Sequence, residues 1–138
     1  MAVNGRTPKA VAIAPASLGA NGTINPWALP THGTYSSVYQ SITLQKAYFG
    51  ITTLGPVVIA ILNGTAAAAG TLAIVTAGSA PSANYGGPTN VSVDFTVPGR
   101  PRSGLEVTGA GGIQLKNLAA AAGTVTGFLT GIENCLDR

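Results

Sequence analysis

The stretch 55–78 carries no charge, and it limits what the rest of the chain can fold into. It reads Gly55-Pro56-Val57-Val58-Ile59-Ala60-Ile61-Leu62, then Asn63-Gly64-Thr65, then four alanines from Ala66 to Ala69, then Gly70-Thr71-Leu72-Ala73-Ile74-Val75-Thr76-Ala77-Gly78. A membrane-crossing helix needs roughly 20 apolar residues, and that length is available. The local chemistry opposes it. Pro56, the Asn63-Gly64 pair and Gly70 interrupt the run, and Val57, Val58, Ile59, Ile61, Ile74 and Val75 are β-branched. No basic or aromatic anchors bracket the segment closely. Two short apolar runs bounded by turn residues predict two buried strands joined by a turn. Neither run alternates with polar residues, so both faces of the pair need a cover.

Composition says where that cover comes from. Charged residues make up 8% of the 138-residue chain, against about 25% in ordinary soluble domains. A soluble monomer has to place charge on its surface, and this chain has little to place. The deficit favours burial against other subunits or lipid. Disorder is not expected, because disordered chains combine low hydrophobicity with high charge. The formal charge of +3 is too sparse to build a nucleic-acid stripe. Four of the seven basic residues stand near prolines: Arg6 and Lys9 flank Pro8, and Arg100 and Arg102 bracket Pro101. Such spots suit contact with an acidic protein surface, or simple solvation. A single cysteine, Cys135, excludes an intrachain disulfide and suits a reducing compartment. The run 9–14 faintly mimics a signal peptide, but it is short and Pro15 interrupts it.

Taken in order, residues 1–33 read as an extended N-terminal arm, followed by a single β domain over 34–138. Pro8, Pro15, Pro26 and Pro30 recur too often for a helix. Val11, Ile13, Leu18, Ile24, Trp27 and Leu29 are spaced along the arm like anchors, either for its own domain or for a neighbouring molecule. Residues 34–51 form the longest strand-like stretch. Val38, Ile42, Leu44 and Tyr48 fall on one face, and Ser37, Ser41, Thr43 and Gln45 on the other, with an interruption at Gln40 and Lys46. Its aromatics read as core or cross-strand packing. Residues 91–97 alternate strictly, and 105–108 and 113–116 alternate again. Proline and glycine make loops of 80–88 and 98–104. The segment 66–72, AAAAGTL, is echoed at 119–125, AAAAGTV, which suggests two similar hairpins. Residues 131–138 read as a short polar tail.

Enzyme chemistry finds no constellation. His32 is the only histidine and sits in a Pro/Gly loop, so there is no paired-histidine metal site. It lacks the motif context that would make it a base for a serine or Cys135. The carboxylates Asp94, Glu106, Glu133 and Asp137 are scattered, and Asp94 and Glu106 lie on polar strand faces. Gly109-Ala110-Gly111-Gly112 is a turn rather than a phosphate cradle. No cofactor and no metal are expected.

A small, all-β, charge-poor, Ala/Gly/Thr-rich chain with a proline-broken N-terminal segment resembles the accessory virion proteins of tailed bacteriophages. The closing run from Leu105-Glu106-Val107-Thr108-Gly109 to Thr124-Val125-Thr126-Gly127-Phe128-Leu129-Thr130 is similar to the closing strands of capsid decoration, or cement, proteins. The resemblance is one of style over the whole chain and transfers no residue role. It implies an antiparallel β-sandwich or β-tulip/barrel body, commonly trimeric, that binds the outer capsid surface and is made in the host cytoplasm. The implied partners are the major capsid protein and copies of itself, with neither nucleic acid nor membrane. Candidate partner contacts are Arg6, Lys9, Val11, Ile13, Leu18, Trp27, Arg100 and Arg102. Candidate subunit-interface or core residues are Val57, Ile59, Ile61, Leu72 and Ile74. A receptor- or carbohydrate-binding module of a phage fibre, tail or collar shares the composition, and exposed aromatics among Trp27, Tyr35, Tyr39 and Tyr85 would favour it. A small membrane protein is the third reading.

Overall fold

The computed structural model describes residues 5–29, 39–51, 57–77, 89–120 and 122–136, and among these every regular element is a strand. In chain order they are β1 (Gly5–Leu18), β2 (Thr23–Trp27), β3 (Tyr39–Ile51), β4 (Val57–Asn63), β5 (Thr71–Ala77), β6 (Thr89–Asp94), β7 (Leu105–Val107), β8 (Ile113–Asn117) and β9 (Gly123–Leu136). Among the described residues no helix is long and apolar enough to cross a membrane. The uncharged stretch is instead the antiparallel pair β4–β5, with Ile59 opposite Val75 and Ala60 opposite Ile74.

Two antiparallel sheets face each other. The front sheet runs β1-β9-β3-β6, with β7 on the same side of β3 as β6; the back sheet runs β2-β8-β4-β5. Successive strands lie in different sheets except at β4–β5 and at β6–β7, which together act as one split strand along β3. With that strand counted once, the order is that of a jelly roll, a double-sheet architecture built from Greek keys. The sheets do not close into a barrel, so the sandwich form of the expected body is the one adopted.

The apolar sets read from the sequence meet between the sheets. Ile13, Leu18, Ile42, Leu44, Ala47, Phe49, Val107, Val125 and Leu129 come from the front sheet. Trp27, Ile59, Ile61, Val75, Ile113 and Leu115 come from the back. Alternation along each strand follows the pleat, one side chain in and the next out.

Four sequence expectations are corrected. Residues 5–29, the described part of the segment 1–33, are largely strand, and they are woven into the body rather than standing apart as an arm. β1 pairs with β9 from Gly5 opposite Cys135 to Leu18 opposite Gly123, and β2 pairs with β8. Its prolines fit because β1 and β2 are edge strands, where a missing N–H breaks no ladder. Pro15 also falls where the β1 register shifts, between Ile13 and Ala16. Secondly, residues 131–136 are not a tail: β9 continues to Leu136, opposite Tyr39. Thirdly, the echoed alanine segments are not two hairpins. Ala66–Ala69 lies within the β4–β5 turn, whereas the second copy joins β8 of the back sheet to β9 of the front. Lastly, Tyr48 does not share a face with Ile42 and Leu44. The register shifts between Leu44 and Lys46, which leaves Gln45 as an extra residue. One extra residue exchanges the faces of everything after it. Ala47 and Phe49 therefore enter the core, and Tyr48 points outward.

Candidate functional site

The candidate partner contacts divide into buried and exposed groups. Ile13, Leu18 and Trp27 are buried in the chain's own core, and Val11 packs against it. Trp27 crosses the sandwich: its Nε1 donates to Glu133 Oε2 on β9 at 3.0 Å, and Lys9 Nζ lies 3.4 Å from the same oxygen. These anchors hold the sheets together and are not available to a neighbour. Arg6, Lys9, Arg100 and Arg102 are exposed.

Arg100 and Arg102 stand on a loop, residues 97–103, that short-range bonds hold in shape. Arg100 N donates to Val97 O at 2.9 Å and Ser103 N to Arg100 O at 3.1 Å. Ser103 Oγ accepts from Val97 N at 2.6 Å and donates to Arg100 O at 2.7 Å. The bulged Gln45 closes the arrangement by donating from Nε2 to Pro101 O at 2.6 Å and Ser103 O at 3.2 Å. The loop thus presents two guanidinium groups from a fixed backbone. Among the described residues neither is ion-paired.

The candidate interface-or-core residues also separate. Ile59 and Ile61 are core, and Leu72 packs against the core at its edge. The side chain of Val57 lies outside the described residues. Ile74 is 56% exposed. The reason lies in the sheet: Ile74 pairs with Ala60, which points away from the core, so Ile74 does too. Ala60 pairs on its other side with Lys116, and Leu118 N donates to Val58 O at 2.9 Å. The outer face of the back sheet therefore carries Val58, Ala60, Leu62, Ile74 and Leu118 together with Lys116, Gln114 and Thr76, and of its apolar side chains Ala60 and Leu62 are buried. Leu118 is 40% exposed.

The outer face of the front sheet differs from end to end. At one end Asn134 Nδ2 donates to Ser41 Oγ at 3.1 Å and Thr43 Oγ1 at 2.9 Å, and Thr43 Oγ1 donates to Glu106 Oε2 at 3.0 Å, in a largely buried polar cluster. In the middle Lys46 Nζ approaches Asp94 Oδ2 to 4.0 Å. The Thr96 hydroxyl and backbone N–H both donate to the Asp94 carboxylate, and with Lys46 nearby they hold its pKa below the ordinary 3.8. At the other end Tyr48 and Phe128 stack with centroids 4.3 Å apart, and Phe128 is 44% exposed. Sequence reasoning missed this pair. The only available signal was the break in alternation near Lys46, which the aromatic content of β3 disguised as core. Of the aromatics singled out beforehand, Trp27 is buried, and Tyr35, Tyr85 and the Tyr39 side chain lie outside the described residues, as does His32.

Among the described residues no group of three or more His, Cys, Asp or Glu side chains could hold a metal. Asp94 and Glu106 have separate partners, Thr96 with Lys46 and Thr43. The surface features among the described residues are two exposed apolar side chains on the back sheet, a bonded basic loop and an aromatic pair. No protein-family model, curated protein or solved structure matches the chain.

Proposed function

We propose that this chain is a structural virion protein that binds the outside of a phage capsid and stabilises the shell, acting as a homo-oligomer, with a trimer favoured, and without enzymatic activity. The observation that supports the reading best is the outer face of the back sheet. A sheet with one solvated face ordinarily carries polar residues there. This one exposes Ile74 and Leu118 beside the half-buried Val58, with Ala60 and Leu62 buried beneath and Thr76, Gln114 and Lys116 interspersed. Exposed apolar side chains grouped on one sheet face are consistent with a surface that another protein covers. As a scale, about 1,000 Å² of apolar area corresponds to roughly 25 kcal/mol before the costs of association are subtracted. The low charge of the chain is consistent with a protein whose surface is covered in an assembly. The Arg100/Arg102 loop suits an acidic shell surface, where fixed cations raise association rates and specificity. A jelly-roll body is compatible with capsid work, though a fold by itself does not assign a function.

The test compares the wild-type chain with Ile74→Lys/Leu118→Lys. Both side chains are exposed, so each substitution should change monomer stability by no more than about 0.5 kcal/mol. Sedimentation velocity reads the oligomer, and co-sedimentation with mature capsids from the source of the gene reads attachment. The wild type should associate and pellet with the particles, and the double variant should do neither. Unchanged mass and full attachment by the variant would remove the basis of the proposal.

A further inference from the structure

The groove beside the aromatic pair has no part in the capsid-binding proposal, and its construction suggests a second function. Tyr48 and Phe128 sit opposite each other in the β3–β9 ladder and stack at 24° between ring planes. One row along, Gly50 lies between Thr126 of β9 and Asn90 of β6. A Cβ at Gly50 would come within 3.2 Å of the Thr126 methyl and 3.5 Å of Asn90 Oδ1. The missing side chain opens the floor of a groove of about 470 Å³, rimmed on the β6 side by Asn90 and Ser92. That volume falls within the roughly 300–1,000 Å³ of small-molecule sites.

We infer that this groove binds a neutral sugar ring of an oligosaccharide. A pyranose presents a C–H face and a rim of hydroxyl groups, and the groove offers the complement of both. Phe128, with Tyr48 stacked on it, supplies an apolar surface that is 44% exposed at Phe128. Asn90 supplies an amide that both donates and accepts, and Ser92 supplies a hydroxyl. Among the described residues neither side chain has a hydrogen-bond partner, so both can take up ligand hydroxyls. Thr126 Oγ1 donates to Ile13 O at 3.0 Å and keeps acceptor capacity. Among the described residues the walls hold no Lys, Arg, Asp or Glu. Lys46 and Asp94 face each other across β3 and β6 one row beyond Tyr48 and Ser92, and they pair with each other. Single-stranded nucleic-acid sites combine stacking with a cationic groove, and this groove has no cations. The same absence disfavours anionic sugars.

The experiment is an amide NMR titration of the full chain with cellohexaose, laminarihexaose, maltohexaose, mannohexaose and chitohexaose, each to several millimolar. At least one should shift the amides of Asn90, Thr126, Gly127 and Phe128 while leaving the back sheet still. Phe128→Ala should weaken binding by about tenfold or more, as loss of one stacking face does. Asn90→Ala, on an edge strand, should weaken it without altering the stack. Ile74→Lys, on the opposite face, should leave the affinity unchanged, which separates this site from capsid attachment. Spectra of each variant away from the groove report that the fold is kept. The inference is overturned if none of the five sugars perturbs the groove, or if binding survives Phe128→Ala undiminished. It is also overturned if a polyproline peptide, and no sugar, occupies the groove.

Discussion

Trp27 decides whether the N-terminal segment belongs to the body, and its replacement can be costed from the structure. Its side chain is 2% exposed and packs in the core between the sheets. Its Nε1 reaches the carboxylate of Glu133 on the opposite sheet at 3.0 Å. Trp27→Ala should cost about 3–5 kcal/mol, the range for removing a large aromatic from a packed interior. Trp27→Phe keeps most of the apolar volume and removes the bond to Glu133. A hydrogen bond to a charged group is worth about 1.5–3 kcal/mol. Glu133 retains Lys9 at 3.4 Å and some solvent, so the lower part of that range applies. A domain of 138 residues has a total stability of about 7–20 kcal/mol. The alanine variant therefore loses a large share of it, and the phenylalanine variant a measurable one.

The assay is urea unfolding followed by far-UV circular dichroism at one fixed protomer concentration, because association adds to apparent stability. With a urea slope of about 1–3 kcal/mol per molar, Trp27→Ala should lower the midpoint by roughly 1 M or more. Trp27 is also the only tryptophan in the chain, so its emission reports on this site alone. The native protein should emit at short wavelength and resist acrylamide quenching. A red-shifted, freely quenched tryptophan, together with variants as stable as the wild type, would refute the pairing of residues 5–27 into the sandwich.

Two further predictions rest on single residues. Gly127 has φ 141°, and an added Cβ would run into the Tyr48 carbonyl and lie 3.1 Å from Phe49 Cα. Gly127→Ala should cost at least about 1–3 kcal/mol of backbone strain, lower the thermal midpoint by several degrees and abolish the ring-to-ring contact of Tyr48 and Phe128 by NMR; an unchanged midpoint would contradict the close approach. Asp94 has a folded-state pKa below its ordinary 3.8, chiefly through the Thr96 hydroxyl. Its contribution to stability is therefore present above that ordinary value and is lost as the pH falls through the lower folded-state pKa. A ¹³C titration of its carboxyl should show a depressed midpoint that moves back up in Thr96→Val, and a midpoint indifferent to that substitution would argue against the bond.

What the sequence determined by itself was the all-β character and the strands in the middle of the chain. Alternation marked β7 and β8 and the body of β6, and the Asn63-Gly64 break with β-branched flanks marked the β4–β5 pair. These are local signals: a period of two and a turn residue are visible within ten positions. The uncharged stretch also predicted cover on both faces of the β4–β5 pair; Ile59, Ala60, Ile61 and Leu62 of β4 are buried, whereas Ile74 of β5 is 56% exposed. What only the tertiary structure decided was pairing. Nothing near Pro8 or Pro15 reveals that β1 lies against β9 at the far end of the chain, where the partner is not adjacent in sequence. Prolines that exclude a helix are compatible both with a free arm and with an edge strand, and only the neighbour across the ladder separates the two. The aromatic groove was hidden for a related reason. Gln45 takes its extra position in β3 from the register against β9 and from its bonds to the 97–103 loop. That one residue turns Tyr48 outward onto Phe128, because side chains on a strand alternate and an insertion exchanges the faces of everything beyond it.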